Sequence, residues 1–352
     1  MRLTLLTGSS TSLREQLTRC LVLRRPGLVA VGYAVEPGPD GLLTRTVVDA
    51  GGTLDAERLA PEGCCLACAV REDVPAALDL VDGRWDDVLL VLPTPVRAGA
   101  LAAELDAAGR PVDTVASAVD ARLLRSQLSG DDLLADRGQA AAPADRRSTA
   151  ELVLGHLDDA DVVAVAELTG LSTDDARTVE ALLAHLAPLA VQVTVGPGGT
   201  GCDDVVGTGR RGRATDAERE QLATLAGTLC PPACGVATAV WRADRPLHSG
   251  RLADALPGLV ATAVRTRGHV WLADRPRHRL RLEQAGGSVS LGDAERWDRL
   301  PSSSLVVTGV GLDPAVLQGT LDGCLATDAE LAALDWPDPF ERALGPATES
   351  AG

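Results

Sequence analysis

Three closely spaced cysteines form the clearest group of residues able to do chemistry in this chain. Cys64, Cys65 and Cys68 fall within the stretch EGCCLACAVRED, residues 62–73. The Cys65-x-x-Cys68 spacing lets two thiolates reach one ion from a tight turn, and soft thiolates favour Zn²⁺ or Cu⁺ over Mg²⁺ or Ca²⁺. Three thiolates leave one tetrahedral position open, which suits a site that exchanges its metal. A redox pair, or cysteines that serve only packing, are the alternatives.

A second candidate is LTGSSTSLRE, residues 6–15, where a strand runs into a helix. A phosphate loop there requires G-x-x-x-x-G-K-[ST]. Aligned without gaps, Gly8 takes the first glycine, while Leu13, Arg14 and Glu15 fall on the second glycine, the lysine and the hydroxyl residue. Arg14 can still meet a phosphate, but a carboxylate about 4 Å from a phosphate oxygen costs roughly 4 kcal/mol at an effective dielectric of 20. The loop is therefore predicted to be vestigial, with GTP and Mg²⁺ doubtful ligands; the structural alternative for Arg14 and Glu15 is a solvated first helical turn.

The composition favours a folded cytoplasmic protein of about two domains. The chain has 352 residues, of which 45% are hydrophobic. Its formal net charge of −16 repels phosphate backbones, so nucleic acid is not an expected partner. Neither a membrane span nor a signal peptide is recognised in the sequence. The eight cysteines are then expected to be thiols or metal ligands and not disulfides.

Residues 1–195 alternate between apolar runs of strand length and helical patterns. This alternation predicts a mostly parallel α/β sheet with helices on both faces. One helix is expected to begin at Ser172 or Thr173 and to end before Pro188. The six predicted strands cover residues 2–7, 28–35, 87–92, 112–119, 161–168 and 189–195.

The pattern changes in the second half of the chain. Residues 196–234 are rich in glycine and charge and are predicted to be a linker. Residues 235–335 contain five short strand signals and two helical patterns, which predict a compact α+β domain. Residues 336–352 are expected to form a tail.

The cysteine stretch resembles the motif of the CobW family, which are GTP-dependent metal chaperones of the P-loop class. The family pattern reads Gly-Cys-x-Cys-Cys-Thr-Val-Arg-x-Asp; here Ala67 replaces the middle cysteine and Cys64 is additional. Residues 240–252, 267–291 and 305–331 are similar to the CobW C-terminal domain. The positions that echo the cysteine motif are Gly63, Cys64, Cys65, Cys68, Val70, Arg71 and Asp73.

The resemblance covers nearly the whole chain and has consequences for fold, ligand and partner. It implies a P-loop NTPase-like α/β domain followed by a smaller α+β CobW C-terminal domain. It also implies zinc as the metal of Cys64, Cys65 and Cys68, and a client or metal-acceptor protein as the partner. The oligomeric state is left open.

Two further GTPase motifs of the family are missing. Relatives carry Glu-Ser/Thr-x-Gly after the strand at 87–92, where this chain reads LPTPVRAG, residues 92–99. Relatives read guanine with Asn-Lys-x-Asp, where this chain has Ala-Glu-Leu-Thr, residues 166–169, and it contains no Asn or Lys anywhere. Together with the altered loop, these losses indicate that GTP hydrolysis was abandoned.

The sequence thus predicts a CobW paralogue that binds zinc through its cysteine cluster and acts as a metallochaperone or regulator. One alternative is an active GTP-hydrolysing metallochaperone with an atypical phosphate loop. The other is an interaction protein whose cysteines are inert.

Overall fold

The computed structural model describes residues 1–35, 43–59, 65–166, 168–211, 225, 228, 230–298, 300–333 and 338–344. The chain divides into two compact units. The first consists of residues 1–127 with 132–223, and the second of residues 128–131 with 224–352.

A single eight-stranded sheet forms the centre of the first unit. Its strands are β1 (Arg2–Gly8), β2 (Leu28–Val35), β3 (Leu43–Asp49), β4 (Gly52–Leu59), β5 (Asp87–Val91), β6 (Val112–Asp120), β7 (Val162–Ala166) and β8 (Val191–Val195). They lie in the order β4-β3-β2-β5-β1-β6-β7-β8. Every neighbouring pair from β2 to β8 is parallel, whereas β3 pairs antiparallel with both β2 and β4. The mostly parallel α/β sheet expected from the sequence is confirmed.

Helices cover both faces of this sheet. They are α1 (Thr11–Arg24), α2 (Leu66–Val81), α3 (Ala98–Ala107), α4 (Ala121–Ser129), α5 (Thr149–Asp159) and α6 (Thr173–Leu186). On one face α1 buries Leu17 and Leu21 against the sheet. On the other face α2 and α3 bury Leu78 and Leu101. Helix α6 begins after Ser172, whose side chain caps it, as the sequence predicts.

The β3–β4 hairpin was not predicted, and Arg45 explains why. Arg45 occupies a buried position between Leu43 and Val47, so a charged residue interrupts the apolar alternation of β3. Its guanidinium donates hydrogen bonds to Asp73 of α2 at 2.7 Å and to Asp55 of β4 at 3.2 Å. A buried arginine is tolerated there because these carboxylates surround it.

The segment predicted to be a linker begins inside the first unit. Cys202, Val205 and Val206 are buried in the apolar core beside α1. The glycines before them form turns, and Gly201 (φ 82°) also allows a close approach, because a Cβ there would lie 2.3 Å from the carbonyl oxygen of Thr194. Glycine richness in this segment therefore marks tight turns of a packed structure. Residues 212–224 lie outside the described part of the chain.

The second unit is an α+β domain, as the sequence predicts. Its strands are β9 (Val236–Ala243), β10 (Arg265–Val270), β11 (His278–Ala285), β12 (Ser288–Arg296) and β13 (Ser303–Val310), and its described helices are α7 (Ser249–Thr262), α8 (Pro314–Asp322), α9 (Asp328–Ala333) and α10 (Glu341–Leu344). The sheet order is β12-β11-β10-β13-β9, with every pair antiparallel. None of the helices in the described ranges combines the length and apolar character needed to cross a bilayer.

Candidate functional site

The two sites that the sequence predicts, the connection after β1 and the cysteine cluster before α2, both lie at the carboxyl edge of the eight-stranded sheet. There β1 leads into α1 at Gly8, and the chain that follows β4 leads into α2 at Leu66. Open α/β sheets bind their ligands at this edge, because loops and helix N-termini converge there.

The connection between β1 and α1 is too short to form a phosphate loop. Only Ser9 and Ser10 separate the strand from the helix, and Ser10 caps the helix by accepting a hydrogen bond from the Leu13 N–H at 3.3 Å. In a phosphate loop the helix follows the motif, and backbone N–H groups of the loop face the phosphates. Here Thr11 and Ser12, which belong to the loop in that alignment, are already helical.

Gly8 has a packing role that does not involve a phosphate. It has a φ of 144° and is paired with Ala118 of the adjacent strand β6. A Cβ at Gly8 would lie 2.4 Å from the carbonyl oxygen of Ala118. Close approach of the two strands therefore requires glycine at this position.

Arg14 fills the space beside the β1–α1 connection. It is only 4% exposed, and its guanidinium donates to the carbonyl oxygen of Gly8, to Thr94 Oγ1 at 2.9 Å and to Thr11 Oγ1 at 3.1 Å. Burial lowers the pKa of Arg14 to about 10, against the opposing effect of Glu15. The alternative of a solvated first turn is therefore wrong for Arg14, although Glu15 is exposed.

The loop that replaces the Glu-Ser/Thr-x-Gly motif is fixed by hydrogen bonds to its backbone. His156 of α5 bonds through Nε2 to the Thr94 carbonyl oxygen at 3.0 Å. Arg147 donates to the carbonyl oxygen of Pro95 at 3.1 Å. The His156 ring is fully buried, and burial is the main cause that lowers its pKa to about 3.

A buried carboxylate holds the end of the same loop. Asp159 of α5 accepts hydrogen bonds from Arg97 at 2.7 Å and from the backbone N–H of Gly99 at 3.0 Å. Gly99 also allows this contact, because a Cβ there would lie 2.5 Å from the Asp159 carboxylate. This loop is thus held against α5 by side chains at several points, which does not favour the mobility that a GTPase switch needs.

The third altered motif lies after β7. That strand ends at Ala166, and a short 3₁₀ helix covers Leu168–Gly170. Glu167 lies outside the described residues. Thr169 is exposed and offers neither the amide nor the carboxylate with which the family reads guanine.

The structure brings two of the three predicted metal ligands together at the start of α2. Cys65 is the N-cap residue of this helix, and its Sγ lies 3.5 Å from the Sγ of Cys68. Two sulfur ligands at about 2.3 Å from a tetrahedral zinc lie about 3.8 Å apart, whereas a disulfide requires about 2.05 Å. The pair therefore fits a shared metal ion with little movement.

The third predicted ligand, Cys64, lies outside the described residues. Within the described ranges no group of three or more His, Cys, Asp or Glu side chains could hold a metal ion. Cys65 precedes the first turn of α2 and Cys68 lies within it, at the positive end of the helix dipole. Both cysteines are half-buried, so an ion could reach them from solvent.

Residues that the sequence did not identify as partners fix the position of α2. The carboxylate of Asp73 accepts hydrogen bonds from Tyr33 Oη and from Arg45, each at 2.7 Å. Burial, followed by the Asp73 hydrogen bond, raises the pKa of Tyr33. At the N-terminus, the Leu66 N–H donates to the Ala141 carbonyl oxygen at 3.1 Å. The cysteine pair thus starts a helix that is anchored to the sheet.

Comparison with protein families identifies the second unit. Residues 236–325 match the family model of the cobalamin synthesis protein cobW C-terminal domain. The second unit contains a CobW C-terminal domain. The resemblance to the CobW family is thereby confirmed.

Known proteins with a similar chain were also found. One is zinc-regulated GTPase metalloprotein activator 1 of Dictyostelium discoideum, which is 21% identical over an alignment of 327 residues that covers 79% of this chain and 69% of the relative. Two solved structures, the Zn(II)-bound YjiA GTPase of E. coli and a triple mutant of that protein, are each 16% identical with a TM-score of 0.41. Each match covers 93% of this chain and 99% of the other.

Proposed function

We propose that this chain is a CobW-like metal-homeostasis protein that binds zinc through Cys64, Cys65 and Cys68 and does not hydrolyse GTP. It delivers the metal to a client protein or regulates that client in the cytoplasm. The observation that carries the proposal is the 3.5 Å separation of the Cys65 and Cys68 sulfur atoms at the start of α2. The name of the Dictyostelium relative, a zinc-regulated metalloprotein activator, supports the choice of metal and partner.

The cysteines at the start of α2 suit a zinc ion that the protein carries to a client and does not keep as its own cofactor. Soft thiolates suit Zn²⁺, and a set of three leaves a fourth position for water or for a ligand of the acceptor protein. The helix N-terminus stabilises the thiolates, while Asp73 holds the helix to the sheet through Arg45 and Tyr33. The cysteines can then exchange ligands without movement of the helix.

The loss of GTP chemistry is supported by the β1–α1 connection. The guanidinium of Arg14 occupies hydrogen-bonding positions on Gly8 and Thr94, beside the exposed carboxylate of Glu15. A phosphate that took the place of the guanidinium beside Gly8 would displace Arg14 from three hydrogen bonds, each worth about 1.5–3 kcal/mol because a charged group takes part. It would also meet the Glu15 charge.

Elemental analysis of the purified protein tests the zinc proposal. We expect near-stoichiometric zinc in the wild type and almost none in a Cys65→Ser, Cys68→Ser double variant. Cys234→Ser is the matched control, since Cys234 is an exposed thiol elsewhere in the chain. Equal zinc in the double variant and the wild type contradicts the proposal.

Calorimetry with GTP and Mg²⁺ separates the alternatives. We expect no binding at micromolar concentrations. Micromolar binding that is lost in Arg14→Leu would favour the active metallochaperone with an atypical loop. Absence of zinc in every preparation would favour the interaction protein with inert cysteines.

A further inference from the structure

A large cleft lies in the first unit between α1 and the strands β2 and β3. Its volume is about 730 Å³, within the range of about 300–1,000 Å³ that is typical of sites for small organic ligands. Its floor is made of small side chains of the sheet, Ala30, Gly32, Ala34 and Thr46, and Val22 and Leu23 of α1 contribute to its wall.

Arg14 forms one end of this cleft, and the nearby carboxylate of Glu15 partly offsets its charge without a direct ion pair. Its three hydrogen bonds go to neutral oxygens, the carbonyl of Gly8 and the hydroxyls of Thr11 and Thr94, and it forms no ion pair with another described residue. A guanidinium has five N–H donors. Because these three acceptors are neutral, an anion that pairs with the guanidinium from the cleft side would add a charge-assisted contact.

The charges around the cleft select the class of anion. Besides Arg14 the lining contains Arg19, but also the carboxylates of Glu15 and Asp49, so the formal charges cancel. A polyanion such as a nucleoside triphosphate would meet both carboxylates. A single negative charge can reach Arg14 while the rest of the molecule remains neutral.

The floor of the cleft determines the chemical character of the part of the ligand that does not contact Arg14. The α1 face of β2 presents Ala30, Gly32 and Ala34, which leave room above the strand and offer only apolar surface. Contact with this surface contributes roughly 25 cal/mol per Å² of apolar area removed from water. We propose that the cleft binds a small amphipathic organic monoanion, whose carboxylate pairs with Arg14 and whose apolar body lies over Gly32.

This site is distinct from the zinc proposal. The ligand would reach Arg14 from the α1 side of the sheet, whereas Cys65 and Cys68 start a helix of the opposite face. Binding of the anion and binding of zinc can therefore be measured, and can fail, independently.

Fluorescence titration with anilinonaphthalene sulfonate, an amphipathic monoanion, tests the proposal on the full-length protein. We expect saturable binding that octanoate reverses, while neutral octanol and GTP are at least about tenfold less effective, because a charge-assisted contact to a buried arginine is worth at least about 1.4 kcal/mol. Equal displacement by octanol or by GTP would overturn the choice of a monoanion.

Two variants locate the site. Arg14→Leu removes the charge, with Arg19→Gln as the matched control for an exposed arginine of the same lining. Gly32→Val fills the floor and leaves Arg14 intact; a Cβ at Gly32 meets only Thr46 Oγ1 at 3.4 Å and Val91 Cβ at 4.0 Å, so the strand can accept it.

We expect Gly32→Val and Arg14→Leu each to weaken octanoate binding at least about tenfold, and Arg19→Gln to change it less than about threefold. Circular dichroism establishes that each variant is folded, and Gly32→Val decides the matter if Arg14→Leu does not fold. Unchanged binding in folded Gly32→Val would overturn the proposal.

Discussion

The β1–α1 connection and the N-terminus of α2 lie at the same edge of the same sheet but differ in what occupies them. At the first, the protein's own Arg14 takes up the hydrogen-bonding positions beside Gly8. At the second, Cys65 and Cys68 hold their sulfur atoms at a separation close to that of two zinc ligands. The difference is that a buried guanidinium fills the space beside the β1–α1 connection, whereas the thiols at the start of α2 are half-buried and accessible.

Residues at both sites match a motif of the family and yet make contacts that have a structural role. Gly8 matches the first glycine of a phosphate loop, yet its contact with Ala118 accounts for it without any phosphate. Asp73 matches the family motif as well, and here it anchors α2 through Tyr33 and Arg45. A matching residue therefore indicates ancestry, and its contacts indicate its present role.

The largest effect is expected for Gly8→Ala. The added Cβ would lie 2.4 Å from the Ala118 carbonyl oxygen, so the free energy of unfolding should fall by about 3 kcal/mol or more. Gly32→Ala, which meets only ordinary contacts, should change it by less than about 1 kcal/mol. Denaturant unfolding measures both. An equally mild effect of Gly8→Ala would mean that glycine is not kept for strand packing.

The pH dependence of stability should report the buried His156. Its pKa of about 3 in the folded protein lies below the ordinary value of about 6.5, so the unfolded chain binds the proton more readily. The stabilisation is complete above pH 6.5 and is lost as the pH falls toward 3, by up to about 1.4 kcal/mol per pH unit. His156→Gln, whose amide can donate to the Thr94 carbonyl, should lack this part of the slope. Equal slopes in unfolding experiments from pH 7.5 to 5 would contradict the assignment.

A smaller effect is expected for Tyr33→Phe at the other site. The substitution removes the 2.7 Å hydrogen bond to Asp73, while Arg45 still holds that carboxylate. We expect a loss of about 1.5 kcal/mol in unfolding free energy and less than about threefold in zinc affinity, measured by chelator competition. A complete loss of zinc would show that the position of α2 depends on this bond alone.

The smallest effect is expected for Arg71→Gln. Arg71 echoes the family motif and forms a 3.4 Å ion pair with Glu104, in which both side chains are more than one-third exposed. Such pairs contribute little, so stability should change by less than about 0.5 kcal/mol and zinc stoichiometry should not change. Loss of zinc in this variant would assign Arg71 a direct role at the metal site.

The fold could be predicted from the sequence wherever burial produces apolar periodicity. The six predicted strands of the first unit and the capped helix after Ser172 are all present, because their burial patterns are regular. The sequence pattern did not predict the β3–β4 hairpin, because Arg45 occupies a core position of β3 and β4 is largely exposed. The sequence predicts a linker around Cys202 because its glycines form turns that the sequence alone cannot distinguish from a flexible chain.

The sequence predicts which residue types form the candidate sites, but it predicts few of the contacts that their side chains make. The spacing of Cys65 and Cys68 indicated a shared ligand, which their geometry now supports. The burial of Arg14 could not be read from the helix pattern, because it depends on Thr94, eighty residues away along the chain. His156 lies on a helix face with apolar neighbours, and only the three-dimensional structure shows that it bonds the Thr94 carbonyl.

The zinc dissociation constant measured with and without GTP and Mg²⁺ tests the central claim most directly. The wild-type protein should bind one zinc per chain through Cys65 and Cys68. The constant should agree within about twofold in the two conditions, as the proposal that the chain does not use GTP requires. A shift of about tenfold or more, or the absence of zinc binding in both conditions, would contradict the account.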